Sequence, residues 1–181
     1  MALPYADLPK FIHELRQNTT ISNLALEFLI LTAARTGEVI GAEWHEIDLK
    51  TAIWTVPASR MKANREHRVP LTCRVMEILD KVKPFRNGDF IFPGRKKGVS
   101  LSNMALEAVL RRMNLKDKAT VHGFRSSFRD WVSEETEHAR EIAEISLAHI
   151  VGDATERAYR RGDNLDKRRK LMNDWLAHCN S

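Results

Sequence analysis

Six residues of this chain have the side-chain types that metal-free cleavage of a phosphodiester requires. Arginine binds the two non-bridging oxygens of a phosphate through paired N–H donors better than lysine does. A tyrosine hydroxyl, with a reference pKa of about 10, can attack phosphorus if nearby positive charge lowers the cost of ionising it. Histidine and lysine can move the protons of the nucleophile and of the leaving oxygen. The candidates are Arg35, Lys62, His122, Arg125, His149 and Tyr159.

The sequence around these candidates suggests that they act together. Tyr159 is one of only two tyrosines, has His149 ten residues before it and is followed by two arginines. His122 and Arg125 are three residues apart, so a helix would place both on one face, where they could address one ligand. Arg35 directly follows a strongly apolar segment, where an arginine is costly without an anionic partner. We therefore expect these side chains to meet around one DNA phosphate that Tyr159 attacks.

Each candidate alone also has a plain structural explanation. Arg35 could form an ion pair with an acidic neighbour such as Glu38, although the same carboxylate could equally hold the guanidinium towards a phosphate. Tyr159 could be a half-buried core residue, and His149 could complement a helix dipole. His122 could cap a helix or lie satisfied in the core. The joint pattern, more than any one residue, favours the catalytic interpretation.

The apolar patterning predicts a mainly α-helical α+β fold with a small antiparallel sheet. Residues 21–34 are apolar on nearly every side, which predicts a central buried helix. Residues 52–56 and 66–71 are predicted to be strands, joined by a basic loop that carries Lys62. Further helices are predicted over residues 7–17, 37–47, 72–82, 103–113, 122–136 and 139–148 and in the tail, 164–178.

Length and composition favour a single globular domain over residues 1–181. The formal net charge is +5, but residues 1–50 have a balance of −3, whereas residues 95–125 reach +6 and residues 157–170 reach +5. This asymmetry predicts a face that binds a polyanion such as nucleic acid. No apolar segment is long enough to span a membrane, and the N-terminal residues lack the pattern of a secretory signal.

Sequence motifs for metals and nucleotides are absent. The chain has no glycine-rich nucleotide loop, no His-Glu-x-x-His sequence and no Cys/His pattern with zinc spacing. Its acidic residues cluster away from the basic face, unlike the carboxylates of a metal-dependent nuclease. Cys73 and Cys179 are far apart and are predicted to be free thiols in a reducing compartment. We therefore expect a reaction that uses neither a metal nor a cofactor.

Three short strings together resemble the tyrosine recombinases, or phage integrases, and in particular the integrases of prophages and genomic islands. The resemblance covers nearly the whole chain, and it is the order of the residues, more than any one string, that makes it specific. The strings are Thr32–Val39 (TAARTGEV), His122–Arg125 (HGFR), and Leu147–His149 (LAH) followed by Ala158–Asp163 (AYRRGD).

The resemblance implies a role for each candidate. Arg35 and Arg125 would clamp the scissile phosphate, and His149 would hydrogen-bond it. His122 would assist proton transfer. Tyr159 would form a 3′-phosphotyrosine link that keeps the bond energy, so that strands can be rejoined without ATP or metal.

Lys62 would be the general acid that protonates the leaving 5′-oxygen. Arg60 and Arg65 lie on the same loop, so the spacing alone does not decide which cation reaches the DNA. The apolar side of the tail, residues 164–178, would pack on a neighbouring protomer or close its own core.

The resemblance also implies partners and a location. The substrate would be double-stranded DNA at attachment sites, with four protomers exchanging strands through a four-way junction and accessory proteins bending the DNA or setting direction. Because family members usually carry N-terminal DNA-binding domains, we expect residues 1–181 to be the C-terminal catalytic fragment of a longer integrase, acting at the nucleoid in the bacterial cytoplasm. Two alternatives are a type IB topoisomerase and a helical DNA-binding module without catalysis.

Overall fold

The computed structural model describes residues 1–151 and 162–181, and within them the predicted helical α+β fold is confirmed. Helices surround one central helix, and a small antiparallel sheet lies at one side. The helices are α1 (Leu8–Leu15), α2 (Ile21–Thr32), α3 (Thr36–Ile40), α4 (Cys73–Val82), α5 (Asn103–Arg112), α6 (Gly123–Glu135), α7 (Arg140–Ser146) and α8 (Leu165–Cys179). The strands are β1 (Ile47–Asp48), β2 (Ile53–Val56) and β3 (His67–Pro70).

Helix α2 is the centre of the core, as its sequence predicts. Ten of its twelve residues are buried, and α1, α4, α5 and α8 all pack against it. The helix begins after Thr20, whose hydroxyl accepts the backbone N–H of Asn23, a typical N-cap. A helix apolar all round can be accommodated only where other elements cover every side, so α2 fixes where its C-terminal end, next to Arg35, must lie.

The sheet has the order β1–β2–β3 with antiparallel neighbours. In β2 and β3 Trp54 pairs with Val69, and the connection between these strands carries Lys62. Strand β1 was not predicted, because two residues are too short to show an alternating pattern.

The expected helix over residues 37–47 is wrong. α3 ends at Ile40, and only a 3₁₀ turn follows at Trp44–Glu46. Backbone bonds to a distant segment replace the helical ones: Trp44 N–H donates to the Asp89 carbonyl at 2.9 Å, and Ile91 N–H donates to the Ala42 carbonyl at 2.8 Å.

Helix α8 packs on its own chain. Leu171, Met172, Trp175 and Leu176 are buried against the other helices of the chain, and the Trp175 indole N–H donates to the Ile30 carbonyl of α2 at 2.9 Å. Of the two arrangements left open for the tail, the structure therefore shows closure of its own core. None of the described helices is long and apolar enough to cross a membrane.

Candidate functional site

Two helix C-termini deliver backbone carbonyls to the same place in the fold. The chain leaves α2 and α7 through Ala33 and Ala148, whose φ values of 50° and 51° are left-handed. After α7, the N–H of His149 donates back to the carbonyl of Glu144 at 2.9 Å, which is the bond that defines a Schellman motif. These turns leave the carbonyls of Ala33 and Leu147 available to side chains from elsewhere.

Arg125 of α6 joins the two helix ends. Its guanidinium donates to the Ala33 carbonyl at 2.5 Å and to the Leu147 carbonyl at 2.6 Å, and the residue is only 5% exposed. Burial, followed by the nearby charge of Arg35, lowers the pKa of Arg125 to about 10. A cation that is both desolvated and repelled by a like charge gains stability when an anion such as a phosphate binds beside it.

Arg35 contacts the same carbonyl from the other side. Its Nη2 lies 3.3 Å from the Leu147 oxygen, and its Nη1 donates to Glu38 Oε1 at 2.7 Å. Glu38 also accepts the backbone N–H of Arg35 at 2.9 Å, so one carboxylate fixes both the start of α3 and the guanidinium. Both interpretations of Arg35 from the sequence, as an ion pair and as a phosphate ligand held by Glu38, include this same contact with Glu38.

His149 completes the cluster. Its Nε2 lies 3.3 Å from Arg125 Nη2, and its Nδ1 lies 2.5 Å from Glu144 Oε2. The side chain is 41% exposed, so a ligand can reach the ring from solvent. Two guanidinium groups and an imidazole thus meet around the Leu147 carbonyl, an arrangement suited to binding an oxyanion.

A cleft beside His149 is lined by β3 and by the beginning of α8. Arg168 of α8 is almost fully buried there and donates to the Arg68 carbonyl at 2.6 Å. The Arg68 side chain forms a fork with Asp163, at 2.7 and 3.0 Å. Burial raises the pKa of Asp163, but the bonds from Arg68 outweigh it, and the net effect is a lowered pKa. This pair ties β3 to the residues that directly follow position 161.

Lys62 and His122 are not joined to this cluster by any described contact. Both side chains are exposed, and no contact described in residues 1–151 or 162–181 joins either to the two arginines. His122 stands at the N-terminus of α6 without a side-chain capping bond. Arg60 turns inward to Glu46 Oε2 at 2.5 Å, whereas Arg65 is exposed like Lys62. Arg60 is therefore held by Glu46, which leaves Lys62 and Arg65 as the exposed cations of this loop.

Tyr159 falls outside the described residues, but the other tyrosine can be judged. The Tyr5 hydroxyl oxygen lies 2.9 Å from Glu134 Oε2 and 3.0 Å from Glu135 Oε1, so its one proton is shared between two carboxylates. These hydrogen bonds raise the pKa of Tyr5, the opposite of what a nucleophile needs. Of the two tyrosines, Tyr5 is thus held in its neutral form.

The sequence did not single out four residues that organise this site. Glu144 is one acid among many, and Arg68, Asp163 and Arg168 look like ordinary charges in basic segments. The only usable signal was the order of charges: an acidic residue five positions before His149, and one four positions after Tyr159.

Comparison with known proteins gives consistent matches over nearly the whole chain. A model of the phage integrase family matches residues 2–164. The prophage integrase IntA of Escherichia coli strain K12 is 36% identical over 172 residues, which are 93% of this chain and 41% of that protein. The prophage integrase IntZ of the same strain is 35% identical over 181 residues, or 99% and 45% of the two chains. The chain therefore spans less than half the length of these two relatives.

Solved structures show the same fold. The integrase from mycobacterium phage Brujita superimposes with a TM-score of 0.69 at 17% identity, over 100% of this chain and 63% of that one. A lambda integrase (75-356) dimer bound to a COC′ core site gives 0.62 at 20% identity, over 91% and 59% of the chains.

Proposed function

The chain belongs to the phage integrase family, and on that premise we propose that it is the catalytic domain of a site-specific recombinase. It cleaves and rejoins DNA through a 3′-phosphotyrosine link. The observation that carries this proposal is the meeting of Arg35, Arg125 and His149 around the Leu147 carbonyl. We infer that the two guanidinium groups bind the non-bridging oxygens of the scissile phosphate and offset the charge that develops there.

Tyr159 is the proposed nucleophile. It lies four residues before Asp163, so its Cα is within about 14 Å of the aspartate Cα even along a fully extended chain. Asp163 is bound to Arg68 beside the cleft that His149 also lines, and this contact supports the proposal. Attack on phosphorus forms the O–P bond to Tyr159 and breaks the bond to the 5′-oxygen, and the reverse attack by a 5′-hydroxyl reseals the strand.

Lys62 is the proposed general acid, and His122 the proposed assistant in proton transfer. Both are exposed on the surface of the described chain, Lys62 on the connection between β2 and β3. We infer that bound DNA brings the lysine to the leaving oxygen, since catalytic contacts often tighten only in the complex.

The proposed substrate is double-stranded DNA at an attachment site. Support comes from the lambda integrase dimer, which is bound to a core site, and from XerH, a site-specific recombinase bound to its difH substrate. We propose that four protomers exchange strands between two duplexes, and that DNA-bending or directionality proteins assist at the nucleoid. Base contacts that set the target would come in part from segments of a longer protein.

A covalent trapping assay tests the reaction. Candidate attachment sequences from the ends of the element that encodes the chain are made as nicked duplexes, so that the short 5′ fragment diffuses away after cleavage. We expect a protein–DNA adduct on a denaturing gel without metal or ATP, and none from Tyr159→Phe. Tyr5→Phe is the matched control and should trap normally. Binding without an adduct, in both the chain and an N-terminally extended form, would instead identify a DNA-binding module.

A modified substrate tests the general acid. A sulfur atom in place of the bridging 5′-oxygen leaves as a thiolate, whose lower pKa removes the need for an acid. Lys62→Ala should cleave the oxygen substrate slowly and the sulfur substrate at nearly the wild-type rate. Arg65→Ala is the control, and the same pattern from it would move the role to Arg65.

A further inference from the structure

The carboxylate of Glu144 lies directly behind His149. Its Oε2 is 2.5 Å from His149 Nδ1, and the backbone also links the two residues through the bond between His149 N–H and the Glu144 carbonyl. The Glu144 side chain is 17% exposed. The proposed recombination chemistry gives this residue no task, although it is the only carboxylate in the described chain within hydrogen-bond distance of that ring.

The two contacts of the ring define its tautomer. Arg125 has only N–H groups to offer, so at 3.3 Å the His149 Nε2 must accept. The proton of the neutral ring is then on Nδ1, where it donates to Glu144. Loss of the carboxylate would leave Nδ1 without its acceptor and free the ring to rotate or to change tautomer.

Glu144 is itself held as a carboxylate. Burial raises its pKa, but the hydrogen bond from His149 and the charge of Arg129 outweigh this, and the pKa is lowered overall. Arg129 Nε lies 3.0 Å from Oε1, one turn of α6 beyond Arg125. The negative charge therefore has a fixed place behind the histidine.

We propose that Glu144 is a positioning residue for strand cleavage: it holds Nδ1 of His149 so that Nε2 faces the scissile phosphate beside Arg125. This inference rests on the proposed function. When a phosphate oxygen takes the place in front of Nε2, the ring takes up a second proton from solvent at Nε2 and donates it in a hydrogen bond to that oxygen, while Nδ1–H stays on Glu144.

Two substitutions separate the hydrogen bond from mere packing. Glu144→Ala removes the acceptor, whereas Glu144→Gln keeps a side-chain oxygen at the same place. We expect the rate of adduct formation to fall roughly tenfold or more in Glu144→Ala, by analogy with carboxylates that orient histidine ligands, and to stay near wild type in Glu144→Gln. The control is Asp130→Asn, an exposed carboxylate of α6 that makes no ion pair with another described residue; it should cleave normally.

A spectroscopic readout keeps the test independent of DNA. ¹⁵N NMR of the ring nitrogens in the free protein should show His149 with its proton on Nδ1 in wild type and in Glu144→Gln. In Glu144→Ala the proton should redistribute towards Nε2. An Nε2–H ring in the wild type would overturn the proposal, even if the alanine variant failed to fold.

The possible failures are distinguishable. A wild type that binds DNA but forms no adduct, in both the chain and an N-terminally extended form, would contradict the proposed recombinase function and with it the role of Glu144 in cleavage, whatever the tautomer. A wild type that traps DNA, with Glu144→Ala equally fast, would overturn the role of Glu144 alone. If Glu144→Ala forms the adduct slowly but keeps the wild-type tautomer, the role of Glu144 is also overturned, because the effect would then come from packing.

Discussion

Arg125→Ala should destabilise the protein in the absence of DNA. The guanidinium is the donor to two carbonyls, at 2.5 and 2.6 Å, from the ends of α2 and α7, and the residue is 5% exposed. Each buried carbonyl that loses its donor costs about 1 to 3 kcal/mol. Part of this cost is recovered, because the substitution removes the repulsion between Arg125 and Arg35 and lets water reach the carbonyls. We therefore expect the free energy of unfolding to fall by about 2 to 4 kcal/mol.

Arg35→Ala is the matched comparison. Its side chain is 27% exposed, its contact with the shared carbonyl is longer, at 3.3 Å, and Glu38 keeps the backbone N–H of residue 35 as a donor. We expect a loss of about 1 to 2 kcal/mol, because Glu38, which is 5% exposed, keeps that backbone donor but loses the guanidinium. The two arginines would have equivalent roles at a phosphate, yet they should differ clearly in their contribution to the fold.

Urea unfolding followed by circular dichroism near neutral pH measures both. Arg125→Lys is a useful third variant, because it keeps the charge but offers a different donor geometry, and it should lie between wild type and Arg125→Ala. Equal stability of wild type and Arg125→Ala, or a larger loss in Arg35→Ala, would refute the account of the two helix ends. Cleavage by Arg125→Ala must accordingly be measured under conditions in which it is folded.

Three further predictions concern the surroundings of the site. Burial, with the charge of Arg168, lowers the pKa of His67 to about 4. Because the unfolded chain takes up this proton more readily, the contribution of His67 to the free energy of unfolding should be complete above about pH 6.5. It should decline by up to roughly 3 kcal/mol as the pH falls to about 4. Urea midpoints of His67→Gln should lack this part of the decline, and an identical pH profile would contradict it. Single charge reversals of Arg68 or Asp163 should slow adduct formation, and the double reversal should restore it in part. In the free energy of unfolding, the two substitutions should show a coupling energy of about 1 kcal/mol or less. Purely additive effects would show that the pair does not act as a unit. Ala148→Gly should raise the free energy of unfolding by about 0.5 to 1 kcal/mol, since glycine adopts positive φ without strain, and a lower urea midpoint would count against strain at this position.

The sequence predicted the structure correctly where apolar residues are buried and charged residues have charged partners. The apolar run of α2 predicted both the central helix and an arginine held at its edge by an acid, and Glu38 is that acid. For Arg125 the sequence indicated a phosphate as the partner. It could not foresee that backbone carbonyls are the partners of this arginine, because any residue type supplies a carbonyl.

The missed features share a cause. Nothing in the sequence marks Ala33 and Ala148 for left-handed backbone, since alanine rarely adopts it and glycine is the usual residue there. Arg168 was counted among the basic residues of the tail, yet it is 1% exposed. Tertiary contacts decide these conformations, and a single sequence does not reveal them.

Helix α8 has a consequence for biosynthesis. Its tryptophan bonds to α2 across 145 positions of the sequence, and Arg16 bonds to Asn180 across 164. Such distant pairings form late, because the loop they close must first be ordered. On the ribosome α8 emerges after every other described element, and Arg168 can then bind the β3 carbonyl that borders the cleft. The cleft beside the candidate site is thus completed only after α8 has been translated.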